Sequence, residues 1–123
     1  FETNINIDEV YKEKPKNIRI ARKIFFNFDE YFSWPSLENE IVSKTGFCYG
    51  LDSHFGILVN GDVIPCCLDQ NACVKLGNTN STQIEDILNS KRVKDIQKGF
   101  KNNILVEELC QKCEYRTRFD KKD

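Results

Sequence analysis

Two groups of cysteines constrain this chain more than any other feature. Three of them bracket a hairpin-like stretch, CYGLDSHFGILVNGDVIPCC at residues 48 to 67, and two more form CQKC at residues 110 to 113. Thiols spaced in this way are disulfide partners, core residues or metal ligands. The N-terminus has no basic region running into an apolar stretch, and no apolar run approaches the length of a membrane span. A cytoplasmic, reducing setting is therefore expected, and there free thiols serve metal or redox roles more readily than a disulfide framework. With 18 basic against 19 acidic residues among 123, charge is balanced, so no basic face for phosphate binding is implied and nucleic acid is not an expected partner. Methionine is absent throughout, position 1 included, which reads as a piece of a longer protein.

Turn chemistry places the first element. Asn60-Gly61 is the dipeptide that best tolerates the positive φ values of a type I′ turn, and it predicts a hairpin of Phe55–Val59 with Asp62–Cys66. In that register Val59 faces Asp62, Ile57 faces Ile64 and Phe55 faces Cys66, which puts the Cys66 thiol on the apolar face. Pro65 cannot donate to a ladder, so the second strand lies at an edge or stops pairing just before the cysteines. After a loop carrying Cys73 and Gly77-Asn78, Thr82 and Glu85 have capping-box spacing, with Ile84, Ile87 and Leu88 on one helical face. A second helix is predicted from about Lys91 to Lys101, burying Val93, Ile96 and Phe100.

The ends differ in character. Residues 1 to 16 are polar and have linker composition. From Asn17 to Val42 aromatics are dense, and strand alternation and helical spacing fit them equally well. They read as core packing or as a docking surface for a further domain. The stretch YRTRFDKKD closes the chain as a basic, solvated tail, although Arg116 and Arg118 could also bind an anion or tune a metal site.

A lone CxxC serves zinc knuckles, redox dithiols and iron–sulfur sites alike. Cys110 and Cys113 need partners, and the hairpin offers Cys48 before its first strand and Cys66 and Cys67 after its second. Two such thiols plus the CxxC make a four-thiolate site, which suits tetrahedral zinc or a [4Fe-4S] cube. Successive strand residues point to opposite faces, so one of the adjacent pair Cys66-Cys67 is spare. Cys73 is a second spare.

In these residues the chain resembles the SPASM/twitch domains, the auxiliary cluster domains that follow the catalytic barrel of radical S-adenosylmethionine enzymes. The family pattern of cysteine, nine to fifteen residues, glycine, four residues, cysteine and a later CxxC is matched by Cys48, Gly61, Cys66, Cys110 and Cys113. GDVIPCCLD, LGN and IEDILNSKRV are similar to the family's usual text. The resemblance implies [4Fe-4S] ligation by Cys48, Cys66, Cys110 and Cys113, with Cys67 and Cys73 outside the site. Where the two-cluster form has a further cysteine this chain has Phe119, which implies the single-cluster, twitch-like version. The CxxxCxxC that binds S-adenosylmethionine is absent, so that cofactor is expected only in an upstream barrel, and no catalytic residue is assigned here.

The expected fold is α+β: a small antiparallel hairpin, then one or two helices around a four-cysteine metal site. Residues 1–45 are expected to connect from the upstream barrel, 46–119 to form the cluster domain and 120–123 a polar tail. The expected function is auxiliary electron transfer or substrate positioning in a radical S-adenosylmethionine oxidoreductase or maturase whose substrate is a peptide, sugar or small molecule. A structural four-cysteine zinc domain without redox role is the alternative. His54 is expected at a strand mouth facing solvent. In some relatives an aspartate beside the second ligand helps deprotonate substrate; here Cys67 occupies that adjacent position and Asp69 lies three residues after Cys66, which argues against carrying the role over.

Overall fold

Asn60 and Gly61 do reverse the chain, with different turn chemistry from that predicted. The computed structural model describes residues 17–120 together with positions 6, 8, 9 and 12. The proposed linker over residues 1–16 and the last three tail residues therefore lie largely outside the described residues. Gly61 has φ +93° while Val59 and Asn60 keep negative φ. The Gly61 N–H donates to the Leu58 carbonyl and the Leu58 N–H to the Asp62 carbonyl, each at 2.8 Å. This is a three-residue hairpin loop closed by a left-handed glycine, not the two-residue type I′ turn.

One extra loop residue slips the register by one. Strands β3 (Gly56–Ile57) and β4 (Asp62–Ile64) pair antiparallel with Gly56 opposite Ile64 and Ile57 opposite Val63. The expected pairs of Ile57 with Ile64 and Phe55 with Cys66 are not made. Ile57 is exposed and the ladder ends at Ile64, so Cys66 leaves β4 through Pro65 without joining an apolar sheet face. The Asn60 side chain selects the longer loop by accepting from the Asp62 N–H at 3.0 Å and donating to its carboxylate at 3.1 Å. The Asn60 carbonyl accepts from the side-chain amides of Asn78 and Asn80.

Asn78 belongs to a strand that the sequence did not announce, and Asn80 lies in the turn after it. Strand β5 (Gly77–Asn78) pairs antiparallel with β4, Asp62 opposite Asn78 and Val63 opposite Gly77. β4 is thus the centre of a three-stranded sheet, not an edge, and all three of its residues are buried. The Thr82 N–H donates to the Asn78 carbonyl at 3.0 Å, which absorbs Thr82 into the turn after β5. Helix α1 (Ile84–Leu88) accordingly starts from Gln83 with no side-chain cap, and the expected capping box does not form.

Helix α2 (Lys91–Lys101) follows its predicted bounds. Ser90 caps it by accepting from the Val93 N–H, and Val93, Ile96 and Phe100 are buried. Its end is a Schellman-type reversal in which Asn103 takes φ +61° and the Ile104 N–H returns to the Gly99 carbonyl at 2.8 Å. Helix α3 (Glu108–Gln111) and a 3-10 helix (Tyr115–Phe119) then occupy what was expected to be loop and tail. Leu51 and Val74 from the loops close the core over α2 together with Leu105 and Leu109.

The chain forms two units divided between Tyr31 and Phe32. In the first, β1 (Asn17–Ala21) and β2 (Ile24–Asn27) make an antiparallel hairpin with Asn17 opposite Asn27, so alternation wins over helical spacing there. The second unit holds all the other elements, and residues 32–45 lie within it. The whole is an α+β mix. No helix among the described residues is long and apolar enough to cross a membrane.

Candidate metal centre

A strap of backbone bonds brings the first cysteine to the last two. The Val42 and Ser43 N–H groups donate to the Gln111 carbonyl, the Leu105 N–H to the Lys44 carbonyl, and the Gly46 N–H to the Asn103 carbonyl. Residues 42 to 46 therefore run alongside the segment between α2 and α3, and Cys48 emerges beside Cys110 and Cys113. Cys66 arrives from the end of β4. All four line one cavity of about 330 Å³, whose wall also includes Trp34, Pro65, Leu68 and Tyr115.

The four cysteines are partly buried in a mainly apolar wall, with backbone N–H groups near three of the sulfurs. Burial, reinforced by the neighbouring Cys48 and Cys113, pushes the Cys66 thiol up to about 11. Burial raises Cys110, Cys48 and Cys113 as well, and at Cys110 the three other cysteines add repulsion. Opposing this, backbone N–H groups reach three of the sulfurs: Gly50 and Tyr49 at Cys48, Leu68 and Asp69 at Cys66, and Arg116 and Tyr115 at Cys113. The Gly50 N–H to Cys48 Sγ distance is 3.4 Å. A Cβ at Gly50 would stand 3.3 Å from the Pro65 carbonyl, a tight approach, and 3.8 Å from Cys48 Sγ, an ordinary contact. Mutually repelling, desolvated thiols with N–H groups aimed at them suit thiolates neutralised by a bound cationic group. Among the described residues no three His, Cys, Asp or Glu side chains converge to hold a metal ion as they stand; the four thiols ring a cavity.

The family model for SPASM, an iron–sulfur cluster-binding domain, matches residues 48–114, more than half of the chain. The chain belongs to the SPASM family. No curated protein and no solved structure matches it. A SPASM domain binds an iron–sulfur cluster, and the mainly apolar cavity lined by Cys48, Cys66, Cys110 and Cys113 fits such a group.

The other candidate residues of this SPASM domain separate clearly. Cys67 and Cys73 are exposed, although Cys67 reaches the cavity rim. Both oxygens of Asp69 are taken by the backbone, accepting from the Cys73 and Val74 N–H groups at 2.8 Å each. With 1% of its surface exposed, Asp69 is a loop-closing carboxylate and not one poised toward a substrate. His54 is exposed as expected, with Nδ1 2.9 Å from Ser53 Oγ, and it also lines the cavity.

Sequence reasoning did not place the aromatics at the cavity rim or foresee the burial of Arg116. Phe32 packs edge-on against Tyr115 and stacks on Trp34, whose indole N–H donates to the Leu68 carbonyl at 3.0 Å. Phe119, standing where a further cysteine was sought, packs against Tyr49 and Tyr115. Arg116 is 2% exposed, which overturns its reading as a solvated tail residue. Its guanidinium holds Asp120 through Nη1 at 2.6 Å and Nη2 at 3.3 Å, and its charge favours the thiolate forms of Cys48 and Cys113. The aromatic spacing around CxxC was the one available signal for this layer.

Proposed function

We propose that Cys48, Cys66, Cys110 and Cys113 together hold one [4Fe-4S] cluster, and that this is the auxiliary-cluster domain of a cytoplasmic radical S-adenosylmethionine enzyme. The observation that carries the reading is the single cavity lined by these four cysteines, with backbone N–H groups on three of the sulfurs. When bound, such a group supplies one-electron chemistry. Four thiolates leave no open position for a substrate atom, which favours electron transfer over substrate ligation. S-adenosylmethionine is bound by an upstream barrel in the same chain, to which residues 1–45 connect, and the substrate is a peptide, sugar or small molecule.

Iron per chain after anaerobic reconstitution of six single Cys→Ala variants tests the ligand set. Cys67→Ala and Cys73→Ala should keep about four irons, while Cys48, Cys66, Cys110 and Cys113 variants should lose the cluster. Full iron retention in Cys110→Ala breaks the four-thiolate reading. A colourless protein with about one zinc per chain replaces it with a structural zinc domain. A native gene lacking CxxxCxxC upstream of this segment removes the radical-enzyme context.

A further inference from the structure

A cation sits where a solvent-facing tail would be expected, and its environment is lopsided. Long basic side chains ordinarily keep the charged head in water and bury the stem. Arg116 buries both. Its side chain is 2% exposed whereas that of its partner Asp120 is 47% exposed, so the anion reaches water and the cation does not. A guanidinium has five N–H donors and no acceptor. Nη1 and Nη2 are directed at the Asp120 carboxylate, while Nε is buried with no hydrogen-bond partner among the described residues. Buried donors left unsatisfied are rare and call for a reason.

The fold also gives up a side chain to admit this group. A Cβ at Gly46, where φ is +150°, would stand 2.0 Å from Arg116 Nη1 and 2.5 Å from Cζ. Gly46 lies two residues before Cys48 and Arg116 three residues after Cys113, and the Arg116 charge favours the thiolate forms of both cysteines. Arg116 is among the residues that line the same cavity as the four cysteines. Ion pairing with Asp120 alone needs neither the burial nor the vacated Cβ, because both partners could meet at the surface.

We infer that Arg116 is a charge-compensating positioning residue for the iron–sulfur group: its buried guanidinium stands beside the cysteine site, where its fixed positive charge favours the one-electron reduced state. This rests on the reading that the four cysteines hold the cluster. Four thiolates already concentrate negative charge in a partly buried site, and an electron delivered by a one-electron reductant such as dithionite adds one more unit. A fixed cation beside it stabilises the reduced form more than the oxidised form, since electrostatic terms are large where water is excluded.

The experiment is a reductive titration of the full chain, reconstituted anaerobically, followed by electron paramagnetic resonance after iron and sulfide per chain have been measured. Arg116→Gln should shift the equilibrium roughly tenfold toward the oxidised form, about 59 mV lower for a one-electron couple. Arg116→Lys should recover most of that shift, and Asp120→Asn should move the midpoint upward, because it removes the compensating anion. Equal midpoints for wild type and Arg116→Gln overturn the inference while leaving the cluster reading intact, as does an Arg116→Lys shift as large as that of Arg116→Gln. Should Arg116→Gln fail to hold a cluster, an Asp120→Asn midpoint at or below wild type overturns it. A wild-type chain that takes up no cluster overturns both.

Discussion

Asp62 shows how one side chain ties three segments of the sheet together. Its carboxylate accepts from Asn78 Nδ2 and Lys75 Nζ at 3.0 Å and from Asn60 Nδ2 at 3.1 Å. The hydrogen bond from Asn78, followed by that from Lys75, holds its pKa below the ordinary aspartate range. A folded-state value below the unfolded one means that its stabilising contribution is present above the unfolded value, about 4, and is lost as pH falls through the folded one. Denaturant midpoints measured from neutral to acidic pH should therefore fall less steeply for Asp62→Asn than for wild type; parallel curves would remove Asp62 from the acid response. Asp69 acts by satisfying buried donors. Asp69→Ala strands the Cys73 and Val74 N–H groups, and the equilibrium stability measured by denaturation should drop by about 2–3 kcal/mol.

At the scale of elements, the β3–β4 loop turns on Gly61. A Cβ there would meet Asn80 Nδ2 at 2.8 Å and Asn78 Oδ1 at 2.9 Å, in addition to the strain of φ +93°. Gly61→Val should cost at least about 1–3 kcal/mol and lower the thermal midpoint, and an unchanged midpoint would mean that the 78–80 loop moves away freely. Helix α2 owes its start to Ser90, so Ser90→Ala should cost about 1 kcal/mol in the same measurement. Helix α2 was legible because its apolar spacing repeats within one short window, whereas the Ser90 cap came from the structure. The hairpin was legible as a reversal but not in register, since Asn-Gly serves both two- and three-residue loops. The Asn60 side chain favours the longer loop through its bonds to Asp62, and Asn78 of β5 and Asn80 in the turn after it brace that loop at the Asn60 carbonyl.

For the molecule as a whole, the cysteine site joins the strap at residues 42 to 48, the end of β4 and the C-terminal helical turns. A second unit this small has a modest core, so ligand binding there adds directly to its folding stability. Cluster-loaded chain should melt at a higher temperature than chain stripped by a chelator under reducing conditions, with loss of colour and of far-ultraviolet circular dichroism in step. Loss of colour without change in melting would make the site a passenger on an independently stable fold. This chain has no CxxxCxxC, and supplied alone with dithionite and S-adenosylmethionine it should form no 5′-deoxyadenosine, as read by chromatography.

The sequence by itself determined what is written in short windows: a hairpin at Asn60-Gly61, helix α2 with its buried face, and a cysteine spacing specific enough to point to the SPASM family. Those signals are local because turn φ preference, helical periodicity and motif spacing depend only on neighbours along the chain. Tertiary structure decided what depends on distant partners. Whether β4 is an edge or a centre rests on β5. Whether Thr82 caps a helix rests on the Asn78 carbonyl it donates to instead. Arg116 reads as a tail residue in sequence, and its burial needs a missing side chain at Gly46 and a carboxylate at Asp120. No window of sequence contains all three, so the charge at the edge of the cysteine cavity became visible only once the chain had folded back on itself.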